Sequence, residues 1–408
     1  MISHQSYFEF LASADQDALT WQPVVAGLGV LRLVDSRISG DTRDASDWAS
    51  LESVRSTAAA LNEGNPVRAI LLQLVEDVSK EEIQREAVGR GLIAYGRALN
   101  FEGRWALACD VFATADSLAG APGNPRVSVE SNIALGAAAR RMGDFETSAH
   151  AYARASHVAN AVGDVAGAMQ VEVGRAATHM VRGNLPAAEA LLAEVIEQAR
   201  SAKSSHVLGL ALHARASVLH QKGEYAEAVR VGYEALEEMS DSPSRDGVLS
   251  DIAASLAGMG LRDAARDGYL IVSATSQSQW IRWQADLNLM ELAALDGNEV
   301  EFEAYARQME TAPLDPRLRA HYFLFHGAGQ QKFGKEAEAE ESLSKGLAFA
   351  EANQLHQLAY EASAAIAELK SHKTPLREVV AQPLDIDQSL RWIVSELSGL
   401  REAAMSSP

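Results

Sequence analysis

Arginine, asparagine and histidine are the residue types in this chain whose spacing suits recognition. Arg90, Arg97 and Asn100 follow one another at steps of seven and three, which on a helix places them on one face. Arg140 and Arg141 form a second basic pair. A guanidinium is a planar fork that meets a carboxylate with two hydrogen bonds, so such positions suit a carboxylate or an acidic peptide. His213 and His220 stand seven apart, with Gln221 beside the second. Two turns separate side chains by roughly 10 Å, whereas helical metal pairs use the i, i+4 step. That pair is a poor metal site. No GxxxxGK[ST], GxSxG, HExxH or CxxC occurs, and no pair of carboxylates stands out from the surface charge. The expectation is a protein without catalytic residues, cofactor or metal.

The elements that position these residues repeat. Turn glycines occur at Gly103, Gly143, Gly183, Gly223, Gly260, Gly297 and Gly334, at intervals of 40, 40, 40, 37, 37 and 37 residues. Self-similarity at this period marks a solenoid of helical hairpins. Seven before each glycine stand Gly96, Gly136, Ala176, Ala216, Ala253, Met290 and Gly327. Five after stand Ala108, Ser148, Ala188, Ala228, Ala265, Phe302 and Ala339. Small residues let helices approach closely. Nine after, Phe112, Tyr152, Leu192, Tyr269 and Leu343 are large, and Gly232 and Ala306 depart. Pro is scarce, at 11 residues, so few helices are interrupted.

These columns resemble the tetratricopeptide repeat, most clearly in LIAYGRALNFEGRWALACDVFATA and IALGAAARRMGDFETSAHAYARA. The resemblance covers roughly residues 45–370; it is closest from Val88 to Met239 and weakest around Gly297, where Phe302 replaces the small residue. The 40-residue spacing is similar to the extended variants in MalT-like and Rap-like bacterial regulatory solenoids and in kinesin light chain. The resemblance implies an all-α, right-handed α-solenoid of about seven to eight hairpins, with the first helix of each hairpin on the concave face. Groove positions would then be Arg90, Arg97, Asn100, Arg140, Arg141 and Met180 in the first half. In the second they would be His213, His220, Gln221, Gln284, Asn288, Glu291, His321, Phe325 and Gln331. Some tetratricopeptide proteins clamp a C-terminal carboxylate with paired Lys and Asn residues; this chain has Arg97 and Asn100 in one unit and no matching set in the next.

Along the chain, residues 1–46 read as N-terminal capping helices, with an apolar helix from Trp21 to Ile38. A loop at 39–47 offers Asp44 or Ser46 as a helix cap. Residues 47–240 read as an array with one degenerate and four regular repeats. The stretch SDSPSRDG (240–247) precedes the shorter period and reads as a bend in the superhelix or a boundary between an N-terminal and a C-terminal lobe. Residues 241–370 form the second array. After breaks at Thr374-Pro375 and Pro383, residues 371–408 hold a helix at about 386–403 with Leu390, Ile393, Val394, Leu397 and Leu400 at helical spacing, read as a C-terminal cap. The Trp280 and Trp283 pair reads as core or as a surface anchor.

The formal net charge is −19, which argues against general binding to nucleic acid or anionic membrane. The single cysteine, Cys109, permits no internal disulfide and reads as a packing thiol. The N-terminus lacks the pattern of a signal peptide and no run of about 18 apolar residues occurs. A cytoplasmic, bacterial protein is expected. The resemblance implies a scaffold or adaptor that binds a peptide or helix of another protein in its groove; the alternative is a regulatory sensor that changes superhelix shape on binding a peptide or small ligand. Residues 1–80 decide between them: a helix 21–38 docked on the first repeat is a cap, and a separate bundle is an effector.

Overall fold

The computed structural model describes residues 4–13, 18–39, 50–65, 67–119, 124–240, 242–353, 355–371 and 386–406. Among them the chain forms twenty α-helices and no strand. Of the loop expected at 39–47, Ser39 is helical; the rest of it with its caps Asp44 and Ser46, residues 120–123 and 241, and the breaks at Pro375 and Pro383 lie outside the described residues. The chain divides into two compact units, Met1–Ala199 and Arg200–Pro408. The division falls within the helix Leu185–Ser201, one hairpin earlier than the shortening of the period.

Unit 1 begins with α1 (Gln5–Ser13) and α2 (Ala18–Ser39), followed by the hairpins α3 (Leu51–Ala59) with α4 (Arg68–Ser79), α5 (Arg85–Phe101) with α6 (Trp105–Ala119), α7 (Pro125–Arg141) with α8 (Phe145–Val162), and α9 (Val165–Val181) with α10 (Leu185–Ser201). Unit 2 contains α11 (Ser205–Gln221) with α12 (Tyr225–Glu238), α13 (Ser242–Gly258) with α14 (Arg262–Thr275), α15 (Gln279–Leu295) with α16 (Glu299–Thr311), and α17 (Pro316–Lys332) with α18 (Glu336–Ala352), then α19 (His356–Lys370) and α20 (Gln388–Ser406). The chain is thus an all-α run of consecutive helical repeats.

All seven turn glycines have positive φ, from 71° to 80°, a conformation nearly free of cost only without a Cβ. Beyond each glycine the next N–H donates back to a carbonyl in the first helix's last turn, as from Asp144 to Ala139 (3.0 Å) and Asn298 to Ala293 (2.9 Å). The side chains of Asp144 and Asn298 then accept the N–H of Thr147 and Glu301 and start the second helix. One three-residue turn therefore stops one helix and caps the next.

The small and large columns face each other. A Cβ on Gly96 would lie 2.5 Å from the Phe112 ring, one on Gly136 2.8 Å from Tyr152, and one on Gly327 2.6 Å from Leu343. Around Gly297 the repeat keeps its register, since the glycine has φ 71°, but it exchanges volumes. Met290 and Ala306 are both buried, so a large residue on the first helix meets a small one on the second. Phe302 is buried and fills the space above Gly329, where a Cβ would stand 2.2 Å from its ring. Trp280 and Trp283 are half-buried against this same cluster.

Within each unit the first helices touch in succession: α5 on α7 and α7 on α9, then α11, α13, α15, α17 and α19 each on the next. The second helices stand further apart. Each unit therefore has a crowded face of first helices and a splayed face of second helices.

At the start of the chain, α2 packs on α3 and α4, and α1 packs on α2 and α6. Residues 242–247 begin α13; Pro243 falls in the first helical turn, where a missing N–H costs nothing. One expectation is corrected. The last helix, expected over the end of the array, packs on α12 and α14 instead. Its apolar stripe is satisfied by a groove between second helices.

Candidate functional site

In unit 1 the crowded wall is built from α5, α7 and α9. Arg140 and Arg141 stand in the last turn of α7, where a cation complements the exposed carbonyls. Arg141 donates from Nη1 to Asn100 Oδ1 at 3.3 Å, which joins the ends of two neighbouring first helices. Arg97 is exposed one turn earlier on α5. Arg90 is engaged by Glu86 on its own helix. Arg140 is half-buried and lies beside the Tyr152 hydroxyl; burial raises the pKa of that phenol, and the Arg140 charge opposes the rise. Of the five polar residues expected here, Asn100 and Arg141 are brought together and Arg97 is open to solvent, while Arg90 and Arg140 are committed to neighbours. Met180 is half-buried on α9.

The same ends of α5, α7 and α9 expose an apolar row. Phe101, Met142 and Val181 are 41%, 49% and 50% exposed, high for side chains of this size. Each stands one or two residues before a turn glycine, which was the available sequence signal. Apolar anchors beside arginine forks are what a bound peptide requires. At the opposite ends of α7 and α9 a cleft of about 350 Å³ is lined by Arg126, Val129, Glu130, Val162 and Gln170 among others.

In unit 2 the expected residues are tied into contacts between hairpins. His213 Nε2 meets Asp251 Oδ2 at 2.9 Å, and His220 Nδ1 meets Ser255 Oγ at 3.0 Å. The Ser217 hydroxyl donates to the same Asp251 oxygen at 2.9 Å. Burial opposes ionisation of Asp251, yet His213 and Ser217 hold its carboxyl below the ordinary range. This cluster lacks the order of a nucleophilic triad, because the carboxylate lies between the hydroxyl and the imidazole. Asp251, Ser217 and Ser255 were missed in the sequence. Asp251 stands nine before Gly260, the step at which Asn288 precedes Gly297 and Phe325 precedes Gly334, so the repeat column was the signal. Gln221 is exposed, and Gln284, Asn288 and Gln331 are half-buried. Glu291 is exposed, but desolvation raises its carboxyl pKa against the opposing charge of Lys332. The His321 ring lies 5.7 Å from that of Phe325, and burial lowers its pKa. A separate cleft of about 560 Å³ opens beside α16, α17 and α18, lined by Arg319, Tyr322, Phe323, His326, Lys345 and Phe349 among others.

Cys109 is half-buried, and desolvation pushes its thiol up to about 12, so it is not a thiolate at neutral pH. Among the described residues no helix is long and apolar enough to cross a membrane. Comparison with models of known protein families gives no match, and comparison with curated proteins gives none either.

Proposed function

We propose that the protein is a tetratricopeptide-type adaptor, without chemistry of its own, whose unit 1 wall binds a peptide segment of another protein carrying carboxylates next to apolar side chains. The observation that carries this reading is the juxtaposition, on the ends of three consecutive first helices, of Arg97 and the Asn100–Arg141 pair with the exposed Phe101, Met142 and Val181. The arginines offer bidentate partners for carboxylates, and the apolar row supplies the area that hydrogen bonds alone do not. The docking of α2 on α3 and α4 supports the adaptor over a sensor with a separate effector bundle in residues 1–80.

The test uses the full-length chain as bait in a cell lysate at moderate salt, beside an Arg97→Glu/Arg141→Glu variant. Arg141 is preferred to Arg140 because it is exposed, whereas Arg140 is half-buried and hydrogen-bonds the Tyr152 hydroxyl. Circular dichroism should be unchanged. A partner retained by the wild type and reduced at least about tenfold by the variant is expected, because each lost charged contact in such a site costs on the order of 1.4 kcal/mol. Equal retention by both would remove this wall as the site. Retention of nothing by the wild type would count against an adaptor and direct the search to a small ligand.

A further inference from the structure

The placement of α20 has a specific chemistry. Among the described residues it packs on α12 and α14 and lies in the groove between them. Leu390, Ile393 and Leu397, at steps of three and four, are buried there. Trp392 meets Tyr233 of α12 edge-on, with ring centroids 5.0 Å apart. Polar anchors close both ends. Arg230 of α12 holds Asp387 and donates from Nε to Ser389 Oγ at 3.0 Å, and Arg401 donates to Asp267 Oδ1 of α14 at 2.8 Å.

The two groove anchors are one repeat apart. Arg230 stands seven after Gly223, and Asp267 seven after Gly260. The same step after Gly103 is Asp110, and in unit 1 Asp110 takes the N-terminal segment: His4 Nδ1 lies 2.7 Å from one carboxylate oxygen and the Ser6 hydroxyl donates to the other at 2.7 Å. In both units one repeat position on a second helix seats a segment that is not part of a hairpin. In the other repeats the position carries His150, Ala190, Ala304 or Glu341.

We propose that the groove between α12 and α14 is a docking site for an amphipathic helix of a partner protein, and that α20 is its resident occupant in cis. The partner helix carries a carboxylate at its N-terminus, aliphatic side chains at i, i+3 and i+7, and an arginine one turn beyond. Arg230 at one end and Asp267 at the other fix the direction in which such a helix lies, and the apolar floor between them gives the helix-in-groove mode of recognition. A helix joined to its own groove has an effective concentration on the order of millimolar. It therefore masks the groove by the ratio of that concentration to the groove's intrinsic Kd. The site responds only to a partner that binds more tightly than α20 or is present in large excess.

The test uses the full-length chain and a fluorescent peptide with the sequence of residues 386–406 as probe, read by anisotropy. Ile393→Asp/Leu397→Asp in the chain weakens the cis helix without touching the groove. The expected result is weak binding to the wild type and binding at least tenfold tighter to this variant. Adding Arg230→Asp and Asp267→Arg to the variant should abolish binding, and a peptide carrying Asp387→Arg and Arg401→Asp should restore it. Hydrogen exchange on the wild type is the second readout, independent of any variant's folding. The amides of α20 should exchange faster than those of α12 and α14. No gain on releasing the cis helix, or α20 exchanging only together with α12 and α14, would overturn the proposal. A dimer formed by the wild type through α20, seen by light scattering, would overturn the assignment to a partner and give the groove to a second copy.

Discussion

His4 has no exposed surface and stands between two carboxylates, 2.7 Å from Asp110 and 3.2 Å from Asp35. Burial alone would lower its pKa; the hydrogen bonds and charges of Asp110 and Asp35 outweigh that and raise it to about 9. The ring is therefore an imidazolium at neutral pH. Because the folded value lies above the unfolded one, the stability it contributes is complete below about pH 6.5 and is lost as pH rises through about 9. The amount is on the order of 3 kcal/mol. Denaturant melts of the wild type and of His4→Gln should differ most at pH 6 and converge by pH 10, the comparison cancelling groups that titrate elsewhere. Parallel curves over that range would mean that His4 is not a charged link between α1 and its neighbours. Nothing local in the sequence marked this residue, since Asp110 is 106 positions away. Arg97, Asn100 and Arg141 were readable because helical spacing and residue type suffice to place them on a wall; that Arg90 and Arg140 are committed to Glu86 and Tyr152 was not.

At the scale of elements, the hairpin is set by volume matching between its two helices. Gly96→Ala puts a methyl within 2.5 Å of the Phe112 ring, and Phe112 is itself only 1% exposed. A destabilisation of about 1–3 kcal/mol is expected in a denaturant melt, although alanine is the better helix former by about 1 kcal/mol. A stabilised variant would show that the ring does not close over α5. The same two columns explain why the hairpin around Gly297 looked irregular. Met290 and Ala306 trade places in size, so each departs from its own column while their combined volume fits. The turn glycines were legible because positive φ is a strong and local demand. Lys203, at φ 54°, meets that demand without being glycine, forty residues after Gly163, and so left no mark in the pattern. The position of α20 was not legible either. A stripe of Leu390, Ile393 and Leu397 states that one face must be buried, and says nothing of whether the cover is the end of the array or the side of an earlier hairpin.

At the scale of the molecule, a chain of net charge −19 exposes Arg97 and Arg141 on the crowded wall of unit 1. On a chain of acidic balance, an exposed arginine pair selects for position as well as for charge. The groove on the splayed face of unit 2 serves a different kind of ligand, a helix with charges of both signs at its ends, and it is closed by the chain's own α20. The two sites need not respond to the same partner. The claim for unit 1 is tested most directly by hydrogen exchange on the full-length chain, alone and saturated with the captured partner. The expected footprint is slowed exchange in the last turns of α5, α7 and α9 and in the turns that follow them, around Phe101, Met142 and Val181. A footprint on the second helices α6 and α8, with the first-helix ends unchanged, would contradict it.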